Sequence, residues 1–358
     1  MISTCTYSLP FTVPFNTGNS IFTERKGVII QFSGDVEAIA EASPLPGFSK
    51  ESLSDVQQFF NRNELIISTF FSEPFTLIEI TPFLDTLPNI SSVQYALSML
   101  ALSILAQREN RSLDEILQMN NPPESIRVNG VIGAGNKRDI FQQVEKLVTE
   151  GFTALKFKAT NTPAELATAM KMVHSQFPDL TFRLDANQSW PLQNIAEYSS
   201  LFSSLPVEYI EEPCAASQEK EFVRILRESK LPIALDESIK SIEHLEIVLK
   251  KYPNLYLILK PSLFGNFLRL RETISRYRSS FDQIVVTTTL ESAVGRLMAA
   301  EAAFLIGDRS LAHGLHTGHL LAQDLMGDLS FSDGKIKASG RQFVHLNFDR
   351  LNQTFLTF

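Results

Sequence analysis

The sequence has few cysteines and no long apolar run. Of its 358 residues only Cys5 and Cys214 are cysteines, and they form no C-x-x-C pair, which argues against a disulfide framework and favours a reducing compartment. The longest apolar stretch, 97–106, is interrupted by serines and falls well short of the roughly 20 residues that span a bilayer. The first residues contain no base before Arg25 and no unbroken apolar core, so we predict no signal peptide and expect a cytoplasmic protein without a membrane segment.

A basic surface is also missing. Acidic residues outnumber basic ones, 40 to 32, which gives a formal net charge of −8 and a pI near 5.4. This balance argues against nucleic acid or an anionic membrane as the main partner and suits an enzyme that acts on small molecules. With 44% hydrophobic and 20% charged residues the chain has an ordinary globular composition. Its length exceeds what one core usually fills, so we expect two domains.

Two different patterns divide most of the chain. Residues 1–125 mix short strands, such as Gly27–Phe32, with helices that we predict at Leu53–Arg62 and Ser91–Arg108. From residue 126 to 322 the pattern becomes strand, short loop and amphipathic helix in repetition. Such alternation predicts a parallel β/α barrel, and eight strands can be placed in it.

The tail, residues 323–358, does not continue this alternation. It contains two segments that look like strands, Phe331–Lys337 and Phe343–Phe348, and a turn signal at Ser332-Asp333-Gly334. We therefore expect the tail to leave the barrel and to pack on the amino-terminal domain.

Charged residues recur at the ends of five successive strand-like segments in the barrel region, about 25 residues apart. In a parallel barrel all these strand ends open on one face, so residues that are distant in sequence meet in one pocket. The five segments are ALKFK (154–158), FRLD (182–185), EYIEE (208–212), IALDE (233–237) and LILK (257–260).

Three of these strand ends carry carboxylates, with no histidine or thiolate evident among them. Such a set indicates a hard cation, most naturally Mg²⁺. Asp185 is unambiguous, but the pairs Glu211-Glu212 and Asp236-Glu237 each leave two candidates, because side chains alternate between the two faces of a strand. Acids at strand ends can also simply cap the following helices, although three in series favour a metal site.

The other two strand ends carry lysines. Lys156 and Lys158 are two residues apart and so share one face of their strand, whereas Lys260 lies four strands further on, on the opposite side of an eight-stranded barrel. A lysine that faces a barrel mouth is costly unless it has a partner or a function. Near a cation its pKa falls, and the neutral amine can act as a base. Lysines on both sides of a cation predict metal-assisted removal of a proton alpha to a carboxylate.

Five short motifs of the chain resemble, in order, those of the enolase superfamily and its muconate-lactonizing subgroup. The segment 42–47 also resembles the capping domain of that family, so the resemblance covers most of the chain. It implies an α/β fold, namely a modified (β/α)8 TIM-type barrel with an α+β capping domain built from the amino-terminal segment and the carboxy-terminal tail. The motifs are Lys156-Phe157-Lys158, Arg183-Leu184-Asp185-Ala186-Asn187, Glu211-Glu212-Pro213, Asp236-Glu237-Ser238 and Lys260-Pro261.

Within the subgroup the sequence looks most like the o-succinylbenzoate synthases, the dehydratases of menaquinone or phylloquinone synthesis. The segments 211–214, 289–292 and 313–318 support this likeness. It implies dehydration of 2-succinyl-6-hydroxy-2,4-cyclohexadiene-1-carboxylate to o-succinylbenzoate. An N-acylamino acid racemase, or another proton-transfer isomerase of the subgroup, is the alternative, whereas the Asp-x-Asp element of dipeptide epimerases is missing from the last-strand region. The sequence does not determine the oligomeric state.

The resemblance also implies roles for single residues. Asp185, Glu211 and Asp236 would bind Mg²⁺, for which Mn²⁺ is the expected substitute. Lys158 would remove the alpha proton and then protonate the departing hydroxyl, while Lys260 would stay charged and stabilise the enediolate. The expected contacts to the small-molecule carboxylate substrate are Lys156, Arg183, Asn187, Thr289 and Gly314.

Three other interpretations compete with this one. Lys260 could form a Schiff base in an aldolase-like barrel, but three converging carboxylates would then be unexplained. A barrel that binds a ligand without catalysis would not need all five motifs. The histidines His313, His316 and His319 are spaced three apart, yet no fourth ligand is evident, so a loop is favoured over a zinc site.

Overall fold

A computed structural model describes residues 1–16, 21–133, 135–159, 162–215, 219–239, 241–278, 281, 283–338, 341 and 343–357. Its strands are β1 Ile2–Asn16, β2 Ile21–Ser33, β3 Glu37–Ala42, β4 Ser125–Val128, β5 Gly130–Ile132, β6 Ala154–Lys158, β7 Thr181–Asp185, β8 Val207–Glu211, β9 Ile233–Leu235, β10 Tyr256–Leu259, β11 Ile284–Val286, β12 Ala312–His313, β13 Lys335–Lys337 and β14 Leu356–Thr357. Its α-helices are α1 Leu53–Ser72, α2 Leu77–Asp85, α3 Ser91–Glu109, α4 Leu113–Ile116, α5 Lys137–Thr149, α6 Pro163–Gln176, α7 Ile195–Ser200, α8 Glu219–Glu228, α9 Ile242–Lys251, α10 Phe267–Tyr277 and α11 Ala293–Ile306.

The amino-terminal part forms an antiparallel sheet covered by helices. The sheet has the order β14-β1-β2-β3, and α1 packs on β1 and β2. Ser52 caps α1 by accepting from the backbone N–H of Asp55, whose carboxylate accepts in return from Ser52. This α+β unit is the capping domain, and the helix predicted at 53–62 continues to Ser72.

Helix α3 is the central helix of the molecule. The sequence shows one apolar stripe on it, but the structure buries every residue from Ser92 to Ala106. The helix packs on β3 of the capping sheet and on the turn at Pro261–Leu263 of the barrel. Since both neighbours cover it, a helix with an all-round apolar surface is what this position requires.

The barrel consists of seven parallel strands in sequence order, from β5 to β11, and an eighth that closes it. The eighth, β12, pairs in parallel with β4, and Gly314 directly after it bridges to Thr287 beyond β11. In the described residues after β12, the chain continues in short 3₁₀ turns instead of an eighth α-helix, so the (β/α)8 pattern is modified at its last unit. None of the helices in the described ranges is long and apolar enough to cross a membrane.

Apolar side chains fill the lower part of the barrel interior. They form a cluster separate from the main core, and Tyr256 packs on it. Arg183 is fully buried, and its guanidinium lies 4.9 Å from the centre of the Tyr209 ring. The charged strand ends therefore lie above a closed layer of buried side chains. The cluster comprises Tyr209, Ala234, Ile258, Val285 and Leu311.

The tail touches both parts of the molecule. Strand β13 pairs antiparallel with β4 at the barrel, whereas β14 pairs with β1 of the capping sheet. The strand predicted at Phe343–Phe348 is wrong, because the chain forms 3₁₀ turns at Phe343–His345 and Phe348–Arg350. Phe343 is buried against α3 and α11 there, so its apolar character serves helix packing and not a sheet.

We predict that Gly314→Ala destabilises the barrel closure. A Cβ at Gly314 would stand 2.9 Å from the Cβ of Thr287 and closer still to its hydroxyl. Such overpacking should cost about 1–3 kcal/mol and lower the thermal unfolding midpoint by several degrees. Gly133→Ala is the matched control, because its added Cβ meets only the amide oxygen of Gln143 at 3.4 Å. Equal midpoints for the two variants would contradict this account of the closure.

Candidate active site

The carboxyl ends of β7, β8 and β9 bring three acids to one face of the barrel. In the strand register Lys158 lies beside Asp185, and Asp185 beside Glu211. Asp236 follows directly after β9. Glu211 and Asp236 are buried, and Asp185 is half-buried. Parallel topology therefore converts a spacing along the chain into one charged layer.

Lys156 lies inside this acidic layer. Its Nζ is 2.8 Å from Oδ2 of Asp185 and 2.8 Å from Oε1 of Glu211. Burial lowers the pKa of Lys156, but attraction by the two carboxylates outweighs it and holds the pKa well above the usual range. In this structure Lys156 thus binds the acids of the protein, and its expected contact with substrate stays a prediction.

Lys158 and Lys260 have unlike surroundings. Lys158 is exposed at the end of β6 and makes no ion pair or hydrogen bond with any residue that the structure describes. Lys260, after β10, is paired through its Nζ with Asp236, and this Nζ lies 4.9 Å from the ring centre of Phe48. The amino group of Lys158 is therefore accessible, whereas the surroundings of Lys260 favour its charged form.

Phe48 comes from the capping domain, and the sequence did not predict its place at the site. It follows the segment 42–47, where only a family likeness was seen, and nothing local indicates that its ring reaches the barrel. Trp190 was also missed as a neighbour of the site. Its indole N–H donates to the carbonyl of Ala159 at 2.6 Å and so holds the backbone next to Lys158.

Glu212, the neighbour of Glu211, does not face the lysines. Its carboxylate accepts from the backbone N–H groups of Asp236 at 2.9 Å and Ser238 at 2.8 Å, and from the Ser238 hydroxyl at 2.9 Å. Its φ of +40° is a strained backbone value for this residue type. Glu212 thus fixes the turn that carries Asp236, and Glu211 stays the predicted cation ligand of the pair.

Asn187 and Glu237 form the outer edge of the acidic layer. The Asn187 amide donates to Glu237 at 3.3 Å, and its backbone N–H donates to Asp185 at 3.2 Å. Burial raises the pKa of Glu237 to about 7, and repulsion by Asp236 adds to this. Asn187 is exposed beside the acids, where a substrate contact remains a prediction.

The structure does not bring Arg183, Thr289 and Gly314 to the site as free binding groups. Arg183 is engaged one layer lower with Glu208, Asn129 and the carbonyl of Ala312. Its guanidinium ties strands together in this structure, and its expected contact with substrate stays a prediction.

Thr289 and Gly314 have structural partners as well. The Thr289 hydroxyl and backbone N–H both donate to Glu291. Gly314 donates from its N–H to Val286 at 2.9 Å and accepts from the Thr287 hydroxyl at 2.9 Å. Both residues therefore hold loops and strands together, and their expected contacts with substrate stay predictions.

The three histidines have separate tasks. His313 is fully buried, and its Nδ1 accepts from the N–H of Val286 at 3.1 Å. Burial lowers the pKa of His313 to about 3, which keeps it neutral. His316 packs on Phe152 and His319. In this structure His313 thus holds β11, while His316 and His319 pack against each other.

The acids have the donor chemistry of a hard-cation site. Oε2 of Glu211 is buried and has no hydrogen-bond partner, and burial, reinforced by Asp185 and Asp236, raises the pKa of Glu211 well above its usual range. A divalent cation would relieve both costs. In the described part of the chain no three acidic, histidine or cysteine side chains already form a ligand cluster; ammonium groups are paired with the acids instead. The residues thus fit Mg²⁺, which Asp185, Glu211 and Asp236 would hold.

Comparison with known proteins decides the family. A profile described as enolase C-terminal domain-like matches residues 139–342, more than half of the chain. The chain belongs to the enolase superfamily. Among solved structures of that superfamily, the muconate lactonizing enzyme of Pseudomonas fluorescens superposes with a TM-score of 0.83 at 17% identity, over 100% of this chain and 98% of that one. This likeness supports the fold.

Curated relatives carry more than one activity in their names. The o-succinylbenzoate synthase of Desulfotalea psychrophila is 28% identical over 253 residues, which cover 69% of this chain and 68% of that protein. The N-succinylamino acid racemase of Thermus thermophilus is 24% identical over 329 residues, which cover 90% of this chain and 83% of that protein. Protein PHYLLO, chloroplastic, of Arabidopsis thaliana is 27% identical over 264 residues, which are 66% of this chain but 15% of that protein.

We predict that Glu211→Gln loses cation affinity, whereas Glu212→Gln loses stability. Glu211→Gln removes a cation ligand and should weaken Mn²⁺ binding, measured by isothermal titration calorimetry, at least about tenfold. Glu212→Gln removes the charged acceptor of four hydrogen bonds, from Gln188, Asp236 and Ser238, and should cost about 1–3 kcal/mol of unfolding free energy. Loss of Mn²⁺ affinity in Glu212→Gln alone would show that Glu212, and not Glu211, is the cation ligand.

Proposed function

We propose that the chain is an o-succinylbenzoate synthase, a magnesium-dependent hydro-lyase of menaquinone synthesis in the cytoplasm. The observation that carries the proposal is the unlike environment of the two lysines. Lys158 is exposed without a partner among the described residues, whereas Lys260 is half-buried between Asp236 and Phe48. Dehydration needs one lysine that exchanges protons and one that stays charged, and this asymmetry fits that need.

The chemistry can be followed through the residues of the chain. The amine of Lys158 takes the proton alpha to the substrate carboxylate, and the electron pair forms an enediolate. As the C–O bond to the neighbouring hydroxyl breaks, the Lys158 ammonium returns its proton to that oxygen, and water leaves. Lys260 keeps its positive charge and faces the developing negative charge. Bound Mg²⁺ would neutralise the substrate carboxylate and so make the alpha proton more acidic.

Two apolar side chains lie near the charged layer. Val131 is beside Lys156 in the register and is 38% exposed, and the ring of Phe48 lies against Lys260. The proposed substrate, 2-succinyl-6-hydroxy-2,4-cyclohexadiene-1-carboxylate, carries one carboxylate on its ring and a second on its succinyl arm. Its ring would lie on the apolar surface, with the ring carboxylate at the charged layer.

An isomerase is the second candidate. An N-succinylamino acid racemase would use Lys158 and Lys260 as bases on opposite faces of the substrate, and the relative from Thermus thermophilus bears that name. Further relatives are named o-succinylbenzoate synthase. The Phe48 ring against the Lys260 amine favours the charged form of Lys260, which speaks against Lys260 as a base and equally against it as a Schiff-base nucleophile.

We expect the purified protein to convert 2-succinyl-6-hydroxy-2,4-cyclohexadiene-1-carboxylate to o-succinylbenzoate in the presence of Mg²⁺. Chelation should abolish turnover, and Mn²⁺ should restore it. Lys158→Ala should lower kcat by about 10²–10⁴-fold, because the proton-transfer group is lost. Turnover that is indifferent to chelation and to Lys158→Ala would sink the proposal, as would no turnover at all.

Lys260→Arg distinguishes dehydration from racemisation. Arginine keeps the positive charge but cannot lose its proton. The variant should therefore retain a measurable part of the dehydration, while conversion of one enantiomer of an N-succinylamino acid into the other should vanish, because Lys158 alone serves only one face of the α-carbon. Wild-type protein that interconverts these enantiomers rapidly and does not dehydrate the cyclohexadiene would establish the isomerase instead.

A further inference from the structure

Arg25 joins three segments of the molecule with one side chain. It lies on β2 of the capping sheet and is 2% exposed. Its Nε donates to the carbonyl of Leu290 at 3.2 Å, and Nη2 donates to Ser43 at 2.6 Å. Nη1 donates to Pro44 at 2.8 Å and to the adjacent Lys26 at 2.9 Å. A planar fork with several donors can bridge carbonyls in this way, whereas an ammonium group cannot keep the same geometry.

The first segment bound by Arg25 is the cap turn, residues 43–49. Within it, the N–H groups of Phe48 and Ser49 donate to the carbonyl of Leu45 at 3.0 and 2.8 Å, and the Leu45 N–H donates to the Ser49 hydroxyl at 2.9 Å. Gly47 has a φ of +84°, which suits glycine. The turn is therefore internally braced, and Arg25 holds its base while Phe48, near its end, contacts Lys260.

The second segment is the barrel loop that follows β11. Leu290 has a φ of +62°, a costly value for a residue with a branched side chain. Arg25 holds its carbonyl from one side. From the other side Glu41 of β3 accepts from the backbone N–H of Gly295 at 2.8 Å, and from the Ser292 hydroxyl and N–H. The strained loop is thus held by two buried charges of the capping domain.

We propose that Arg25 is a positioning residue that fixes the cap turn and the β11–α11 loop as one unit, and thereby keeps Phe48 against Lys260. Arg25 touches no reacting group itself. It acts through the carbonyls of Ser43 and Pro44, and the rigid turn passes this placement on to the ring. Of the tests below, only the kinetic one rests on the proposed function.

Hydrogen exchange tests the mechanical part without any substrate. In Arg25→Lys the amides of 45–49 and of 289–295 should exchange faster, and the strands β6–β8 should not change. Arg108→Lys is the matched control. Like Arg25, this capping-domain arginine donates to backbone carbonyls, two in its case, and it also donates to the carboxylate of Asp35. None of these partners lies in either segment. Unchanged exchange in both segments of Arg25→Lys, or a change in one segment alone, would overturn the proposal.

Kinetics test whether Arg25 acts through Phe48. Arg25→Lys should lower kcat/KM by about 10–10²-fold, mainly through kcat, because a misplaced group costs transition-state stabilisation. In a double-mutant cycle Phe48→Leu should add little to Arg25→Lys, since both changes remove the same contact. Independent, multiplying effects would contradict the proposed route, whereas an inactive wild-type protein would contradict the proposed function and leave the exchange result standing.

Wild-type protein provides the test if Arg25→Lys does not fold. The two segments should share one opening free energy, so their exchange rates should rise together in low concentrations of denaturant, before the barrel strands open. Separate opening of the cap turn and the β11–α11 loop would overturn the proposal.

Discussion

Repulsion among three carboxylates at one barrel mouth is the constraint on which the site depends. The parallel register places Asp185 beside Glu211, and Asp236 follows on the next strand. Buried acids without compensation would lose their charge. Lys156 and Lys260 supply the compensation in this structure, and a divalent cation would supply it in the working enzyme. The same charge arrangement therefore serves folding without the cation and chemistry with it.

The layer below this mouth keeps the charges effective. Arg183 is paired with Glu208 and lies over Tyr209, so it brings little net charge to the acids above. The apolar cluster beneath excludes water, and in such surroundings each charge acts over a longer distance than in solvent. Arg183 thus shapes the site by closing the barrel interior beneath the acids.

The charged strand ends could be predicted because they depend on local pattern and on parallel topology alone. Lys156 and Asp185 follow from strand alternation and a regular spacing, whereas only the family resemblance favoured Glu211 over Glu212. The role of Glu212 and the reach of Phe48 could not be predicted, since they depend on contacts between distant segments. The same limit explains the error at Phe343, where an alternating apolar pattern serves packing on α3 and not strand pairing. Local sequence carries no signal for either kind of contact.

The choice between dehydration and racemisation therefore depends on the capping domain as much as on the barrel. Both reactions place a lysine on each side of the substrate, and the barrel strands provide Lys158 and Lys260 in either case. What differs is whether Lys260 can lose its proton. A ring against the amine and a carboxylate paired with it both favour the charged form. The carboxylate belongs to the barrel layer common to both reactions, but the ring arrives from the cap turn, so a change in that turn can alter the reaction without a change in any barrel residue.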